Sequence, residues 1–411
     1  MTISSLEIGQ ALSCDVQIAN GRRLFSRGHI VTDQTLRVLK IWGVQHVSVH
    51  GTSDDCTSNF AGEDSSRHTC ITDSASAIRI LLRQSKAGIF PVSSIVEDCI
   101  RLANVDGRGE DGLFPSCCEQ TSGSHQLSNS QKKIADALAG DIQYYFDGFP
   151  EDYFVFVQML NNVYTTPETV VAVIEKNKRI RDKILRICES FINVTGCEIK
   201  SIYSCAAFLG NRTVLYLAII LVYLEHLYEL NSSEAVLHTA KSALATGVAA
   251  RYIAIASGAS SKDSFFSNGI LRDVGRLFFV RHFSSEYNAV RRTAAQNNLN
   301  ICTAEILHFG MTHAEVGGRI LKALGFPVAA EKSVLEHHLR FSKVGTKEHA
   351  IMQVAAFVTK ALFYNPEYDT LPPSLDSDAW AILNITEESL SEIVEVIYLK
   401  SNEIIRLVYG E

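Results

Sequence analysis

Residues 269–277 read Gly269-Ile270-Leu271-Arg272-Asp273-Val274-Gly275-Arg276-Leu277. A guanidinium stands beside a carboxylate inside an apolar run. Asp273 can ligate a cation. Arg272 has no lone pair to give and would repel a cation placed next to it. The stretch lies in a long helical region, because no proline occurs between Pro167 and Pro327 and a run of packed helices tolerates none in its interiors. Helix punctuation recurs on both sides. Thr166-Pro167-Glu168 is an N-cap followed by proline at the first helical position. Thr312-His313-Ala314-Glu315 has capping-box spacing, and Gly258 and Gly325 stand where C-terminal glycines belong. Asn211 and Asn231 are expected to cap the runs that follow them. With no β-rich run after residue 141, this part is expected to be all-α.

The bulk numbers bound the rest. The chain has 411 residues, room for two or three domains at about 100–200 residues each. An apolar fraction of 46% and a charged fraction of 20% fit a globular protein with a sizeable core. A net charge of −7 argues against bulk nucleic-acid binding, which needs a basic footprint. None of the 10 cysteines sits in Cys-x-x-Cys spacing. The first residues lack a basic segment followed by an apolar run, so no signal peptide is read and a reducing cytoplasm is expected. Val214 to Leu224 is the longest apolar run. It is too short to span a bilayer and reads as a buried helix, so no membrane association is expected.

Four segments follow from the pattern. Residues 1–50 read as a small β-rich module in the order β-β-α-β. Val16 and Ile18 alternate with polar neighbours, Asn20-Gly21 is a hairpin turn signal, Asp33 opens a short helix that Gly43 stops, and Val44, Val47 and Val49 form a last strand. Residues 51–140 read as a linker, rich in Ser, Gly, Asp and Gln at both ends, with helical spacing only over 75–84 and 92–103. Residues 141–345 form the main helical domain. Residues 346–411 form a C-terminal helical extension, in which Leu390, Ile393, Val394, Val396 and Ile397 make an apolar stripe.

The helical part resembles the HDOD family, output-type relatives of the HD phosphohydrolases in bacterial signalling. Phe149-Pro150 and the helix after it are similar to the family's opening. Asn177 to Phe191, then Ser201-Ile202 to Gly210, follow in the family's order. His238, Arg272-Asp273, His313 and His337-His338 complete the series. The resemblance implies an all-α HD-like fold. It also implies how an active relative would bind metal, through a His, a His-Asp pair and a distal Asp. Here the His of the pair is Arg272, and the distal Asp falls on Ala355 or Ala356. His313 and His338 match extra ligands of the two-metal HD-GYP branch, but His338 is followed by Leu339-Arg340-Phe341 rather than Gly-Tyr-Pro. Residues 1–50 resemble a small domain found ahead of some HD-GYP and HDOD proteins, through Leu6, Gly9, Asp15, Asn20-Gly21 and Trp42-Gly43.

A vestigial pocket is therefore expected from His238, Arg272, Asp273, His313, His337 and His338, with no bound metal, no cofactor and no catalysis. His337 and His338 are not expected to share it, because neighbours on a helix point about 100° apart. His238 is equally readable as a core histidine. Lys176, Lys178, Arg179, Arg181, Lys183 and Arg186 form the strongest basic cluster. Interleaved with Glu175 and Asp182, it reads first as a solvated face and second as a phosphate contact. No P-loop, dinucleotide fingerprint or nucleophile elbow is present. The function expected is signal transduction through contacts with other signalling proteins, with homo-oligomerisation open. The competing readings are a metal-dependent phosphohydrolase of a nucleotide or cyclic dinucleotide, and a metal-free small-ligand sensor.

Overall fold

The structure, a computed structural model, describes residues 2–17, 23–32, 35, 36, 39, 44, 46–49, 150–162, 164–192, 199–230, 233–259, 262–297, 299–363, 365, 367–369, 375 and 377–410. The expected linker, 51–140, lies outside them.

In the N-terminal region, β1 (Val16–Gln17) pairs antiparallel with β2 (Arg23–Phe25). Three isolated bridges accompany them: Thr2 to His46, Ala11 to Ile30 and Leu12 to Val49. These short contacts correct the expectation of a β-rich module. Val44, Val47 and Val49 form no ladder among the described residues, and the Asn20-Gly21 turn lies outside them.

From residue 150 onward the described residues are helical, without a strand. The elements are α1 (Glu151–Asn161), α2 (Pro167–Ile174), α3 (Lys178–Ile192), α4 (Ile202–Leu209), α5 (Asn211–Leu230), α6 (Glu234–Ala256), α7 (Lys262–Leu271) and α8 (Val274–His282). They continue with α9 (Ser284–Gln296), α10 (Ile301–Phe309), α11 (His313–Ala323), α12 (Val328–Glu336), α13 (Phe341–Val344), α14 (Lys347–Phe363), α15 (Ser377–Leu383) and α16 (Glu387–Tyr409). Thr166 caps α2 by accepting from Thr169 N–H, and Thr312 and Glu315 form a reciprocal capping box on α11. Asn211 does not cap. It begins α5 directly after Gly210, whose φ of 87° ends α4. The cap of α6 is Ser233, while Asn231 lies outside the described residues.

The core is organised around α6. A helix apolar on all sides is a buried one, and α6 is buried without a break from Ala243 to Ala256. Its alanines and Gly247 let neighbours close in. A Cβ at Gly269 of α7 would lie 2.6 Å from Gly247 Cα, so the two backbones touch there. Helices α14 and α16 pack on other sides of α6. The stripe of Leu390, Ile393, Val394, Val396 and Ile397 is buried, with α16 lying against α6 and α3. Each such side chain contributes roughly 1.5–3 kcal/mol of transfer free energy, so the residues after 345 belong to the same core. The run Val214–Leu224 is likewise interior. Among the described residues no single helix is long and apolar enough to cross a membrane. Only α4 and the first part of α5 pass that test together, across a bend of 116°.

Candidate functional site

Arg272 and Asp273 occupy the turn between α7 and α8. Asp273 has φ −102° and ψ 23°, outside the helical well, so the two side chains do not diverge as helix neighbours do. Arg272 Nη1 donates to Asp273 Oδ2 at 3.0 Å, and Arg272 is 5% exposed. Two residues on, Gly275 fixes where this turn can sit. A Cβ there would lie 2.0 Å from the carbonyl oxygen of His313 and 2.6 Å from Gly317 N. Only a glycine lets α8 and α11 meet backbone to backbone, and that contact sets Asp273 beside His313.

His313 is the first residue of α11, presented by the Thr312 capping box. Glu305 of α10, fully buried, accepts from His313 N–H at 2.8 Å and from its Nδ1 at 2.7 and 2.8 Å. Tyr287 Oη donates to the same carboxylate at 2.9 Å. With Nδ1 so occupied, Nε2 faces the other way. It lies 3.4 Å from Asp273 Oδ1, 3.3 Å from His337 Nε2 and 2.8 Å from His338 Nε2. His337 Nε2 is 3.8 Å from Asp273 Oδ1, and its Nδ1 donates to Val334 O at 2.5 Å. Both members of the histidine pair therefore face one point. This corrects the expectation that at most one could. Helix α12 ends at Glu336, and the pair sits on the turn that follows, from which both rings reach His313 Nε2.

The charges follow from this geometry. Burial alone would raise Asp273, but Arg272, with His313 and His337, holds its carboxyl well below the usual range. Burial opposes charge on His313, yet Glu305 and Asp273 outweigh it and raise its pKa to about 9. His337 is kept well below the ordinary imidazole value by burial, Arg272 and His313. His338 is lowered in the same way by burial, His337 and His313.

His238 of α6 belongs to a second cluster. Its Nε2 lies 2.8 Å from Asp369 Oδ2. Asp369, in the segment after α14, also accepts from Arg276 Nη2 at 3.1 Å and from Asn365 N–H at 3.1 Å. Arg276 Nη2 donates to Tyr368 O at 2.6 Å as well. Burial would raise Asp369, but His238, Arg276 and Lys360 hold it far below the carboxylate range. Lys360 is lowered by burial and by Arg276 to about 8.

Residues 148–339 match the HDOD domain. The chain carries an HDOD domain. The chain is similar to solved structures, of which the first shares the fold. A Shewanella amazonensis SB2B protein, provisionally named a phosphohydrolase, is 16% identical, covers 68% of this chain and 98% of its own, and has a TM-score of 0.50. An HDOD domain protein with unknown function from Geobacter sulfurreducens is 18% identical over 66% of this chain and 98% of its own, with a TM-score of 0.49. No curated protein matches the chain.

Of the residues expected in the HDOD pocket, Arg272, Asp273, His313, His337 and His338 come together, while His238 is engaged by Asp369. Metal binding of the HD kind fits one cluster and not the other. Asp369, the partner of His238, is already neutralised by Arg276, and Arg272 beside Asp273 has no lone pair to give. Asp273, His313, His337 and His338 do fit, with ligand atoms all within 4.8 Å of one another. Sequence reasoning missed Glu305, Arg276, Asp369, Tyr287 and Lys360. Glu305 had a signal, a lone carboxylate in the apolar run Ile301 to Phe309. Asp369 had none, since its partner His238 lies 131 residues away.

Half of the basic cluster at and before α3 is paired within the chain. Glu225 lies 3.2 Å from Arg179 Nε and 2.6 Å from Lys183 Nζ. Lys183 also donates to Val408 O at 2.5 Å. Arg181 bridges Asp182 at 2.8 Å and Glu175 at 3.5 Å. Lys176, Lys178 and Arg186 are exposed, while Ile180, Ile184 and Ile187 are buried.

Proposed function

We propose that this HDOD domain serves bacterial signal transduction by binding other signalling proteins and does not hydrolyse phosphoesters. One observation carries the reading: Arg272, buried and 3.0 Å from Asp273, takes the position where the family's hydrolases have a metal-binding histidine. A fixed cation there excludes the two-ion arrangement in which metals clamp the attacking and leaving oxygens. Purified full-length protein with added Mn²⁺, Fe²⁺ or Zn²⁺ is expected to leave nucleotides, cyclic dinucleotides and bis-p-nitrophenyl phosphate uncleaved. Hydrolysis that disappears in Asp273→Asn would overturn the reading. The binding half is tested by proximity labelling with the full chain in cells. Enrichment of signalling proteins over a freely diffusing control supports it, and a profile equal to the control counts against it.

The competing reading, a metal-dependent phosphohydrolase of a nucleotide or cyclic dinucleotide, is favoured by the convergence of Asp273, His313, His337 and His338. The same hydrolysis assay decides between the two.

A further inference from the structure

Asp369 reaches into the helical core from beyond residues 148–339, the stretch that matches the HDOD domain. The charges of His238, Arg276 and Lys360 act on it, and its own charge acts on Arg291. The two arginines also hold its neighbours. Arg276 Nη2 donates to Tyr368 O at 2.6 Å, Arg291 Nη1 donates to Glu367 O, and the Arg291 guanidinium lies 5.3 Å from the centre of the Tyr368 ring. Asn365 O accepts from Tyr368 N–H at 3.0 Å and from Asp369 N–H at 2.7 Å.

One carboxylate does not balance this cluster, because Arg276, Arg291 and Lys360 all face the single charge of Asp369. Asp273 acts on Arg276 and Lys360 as well, but it is paired with Arg272. Glu234 and Glu367 act on the Tyr368 hydroxyl instead. The excess positive charge shows in the cations themselves. Burial and then Arg276 lower Lys360 to about 8, and the same two causes lower Arg291. Donors are left over too. Nε of Arg276 and Nε of Arg291 are buried with no hydrogen-bond partner among the described residues, a costly state for an N–H withdrawn from water.

We infer that Asp369 is an internal plug in a site for a small, free oxyanion of the phosphate type, built by Arg276, Arg291, Lys360 and His238. Such an ion brings a second negative charge and more acceptor oxygens than a carboxylate, and guanidinium forks match its geometry. Its size follows from the surroundings. Tyr368 and Arg291 wall a cleft with Thr239, Ser284, Tyr287 and Asn288 that has no room for a water molecule. An anion therefore takes the place of Asp369 rather than a vacancy beside it. Displacement frees Asp369 together with Tyr368 and Glu367, whose anchors are the same arginines. Binding at the core is thereby converted into release of chain at the end of α14. This goes beyond the regulatory reading and does not rest on it.

The test uses full-length protein treated with a chelator, so that no metal bridges the anion, and titrated with inorganic phosphate by calorimetry at constant ionic strength. A site that is competent only when its plug is out has its affinity reduced by that fraction, so Asp369→Ala is expected to bind about 10–100-fold more tightly than wild type. Asp369→Asn, which keeps the shape and loses the charge, is expected to gain in the same direction. The gain should vanish when Asp369→Ala is combined with Arg276→Gln. Phenyl phosphate is expected to bind more weakly than inorganic phosphate, and tighter binding overturns the assignment to a free ion. Circular dichroism shows whether each variant folds. Hydrogen exchange on wild-type protein needs no variant: added phosphate is expected to speed exchange at Tyr368 and Asp369 and to leave α6 unchanged. The proposal is overturned if neither Asp369 variant binds better than wild type, if the gain survives loss of Arg276, or if chloride reproduces it. Exchange at Tyr368 and Asp369 that ignores phosphate overturns it as well.

Discussion

Asp273 and Asp369 pose the same physical problem, a carboxylate withdrawn from water, and the fold answers it in two ways. Asp369 is saturated: Oδ1 accepts from Arg276, and Oδ2 faces His238 and Asn365 N–H. Asp273 is half-saturated: Oδ2 accepts from Arg272 while Oδ1 looks onto histidine nitrogens. A buried charge without a partner is costly, so both carboxylates are neutralised. Only the second retains an oxygen with coordinating capacity. The Asp369 cluster is a closed set of ion pairs and hydrogen bonds, while the Asp273 cluster turns one carboxylate oxygen toward histidine nitrogens.

The sharpest way to break this comparison is to remove each arginine. Removing one partner of a buried pair typically costs about 3–5 kcal/mol. Arg276→Ala is expected in the middle of that range, about 4 kcal/mol, because the Asp369 side chain is only 3% exposed. Arg272→Ala is expected at about 3 kcal/mol, since the Asp273 side chain is 13% exposed and the histidines supply part of the compensation. Chemical denaturation of chelator-treated protein measures both. No change in Arg272→Ala would remove the idea that its guanidinium replaces a lost cation. A smaller loss, about 2 kcal/mol, is expected for His238→Ala, the value of a hydrogen bond to a charged group, with no effect on metal content.

The comparison also has a pH signature. His313 has its pKa raised from 6.5 to about 9 by Glu305 and Asp273. A group that binds its proton more tightly when folded stabilises the fold at low pH. Its contribution is complete below about 6.5 and is lost as pH rises through about 9. Denaturation midpoints of metal-free protein between these values should therefore fall with pH, and the slope should shrink in Glu305→Gln. An unchanged slope in that variant would place the titration elsewhere. The smallest effect is expected outside both clusters. Arg179, whose side chain is 60% exposed beside Glu225, should change stability by no more than about 0.5 kcal/mol on replacement by Ala, as exposed ion pairs do.

Local features were readable in the sequence where one residue type has one physical use. Thr312 with Glu315 marked a helix start, Gly258 and Gly325 marked ends, and Arg272 announced a cation where a ligand was expected. The His337-His338 geometry was not readable, because neither glycine nor proline marks the stop at Glu336 and the pattern reads as if the helix continued. Arg276 lies three residues after Asp273, yet its partner Asp369 comes from the segment that follows α14. Pairings of that kind arise from tertiary packing, and no local periodicity encodes them. In the N-terminal region, alternation of Val16 with polar neighbours suggested strands, but alternation describes a face and does not ensure that enough partners exist to build a sheet.

The contact of Gly275 with the His313 carbonyl bears on how such a site tolerates substitution. Where side chains separate two helices, drift in their sizes changes the gap, and any constellation spanning it loosens by degrees. Here main chain rests on main chain, so the gap is a mechanical stop that later substitutions in the surrounding core cannot adjust. Replacing one side chain at this junction therefore leaves the others at the separations that the backbone contact sets. A pocket mounted on such a stop can surrender its chemistry piecemeal and still present its surviving members in register.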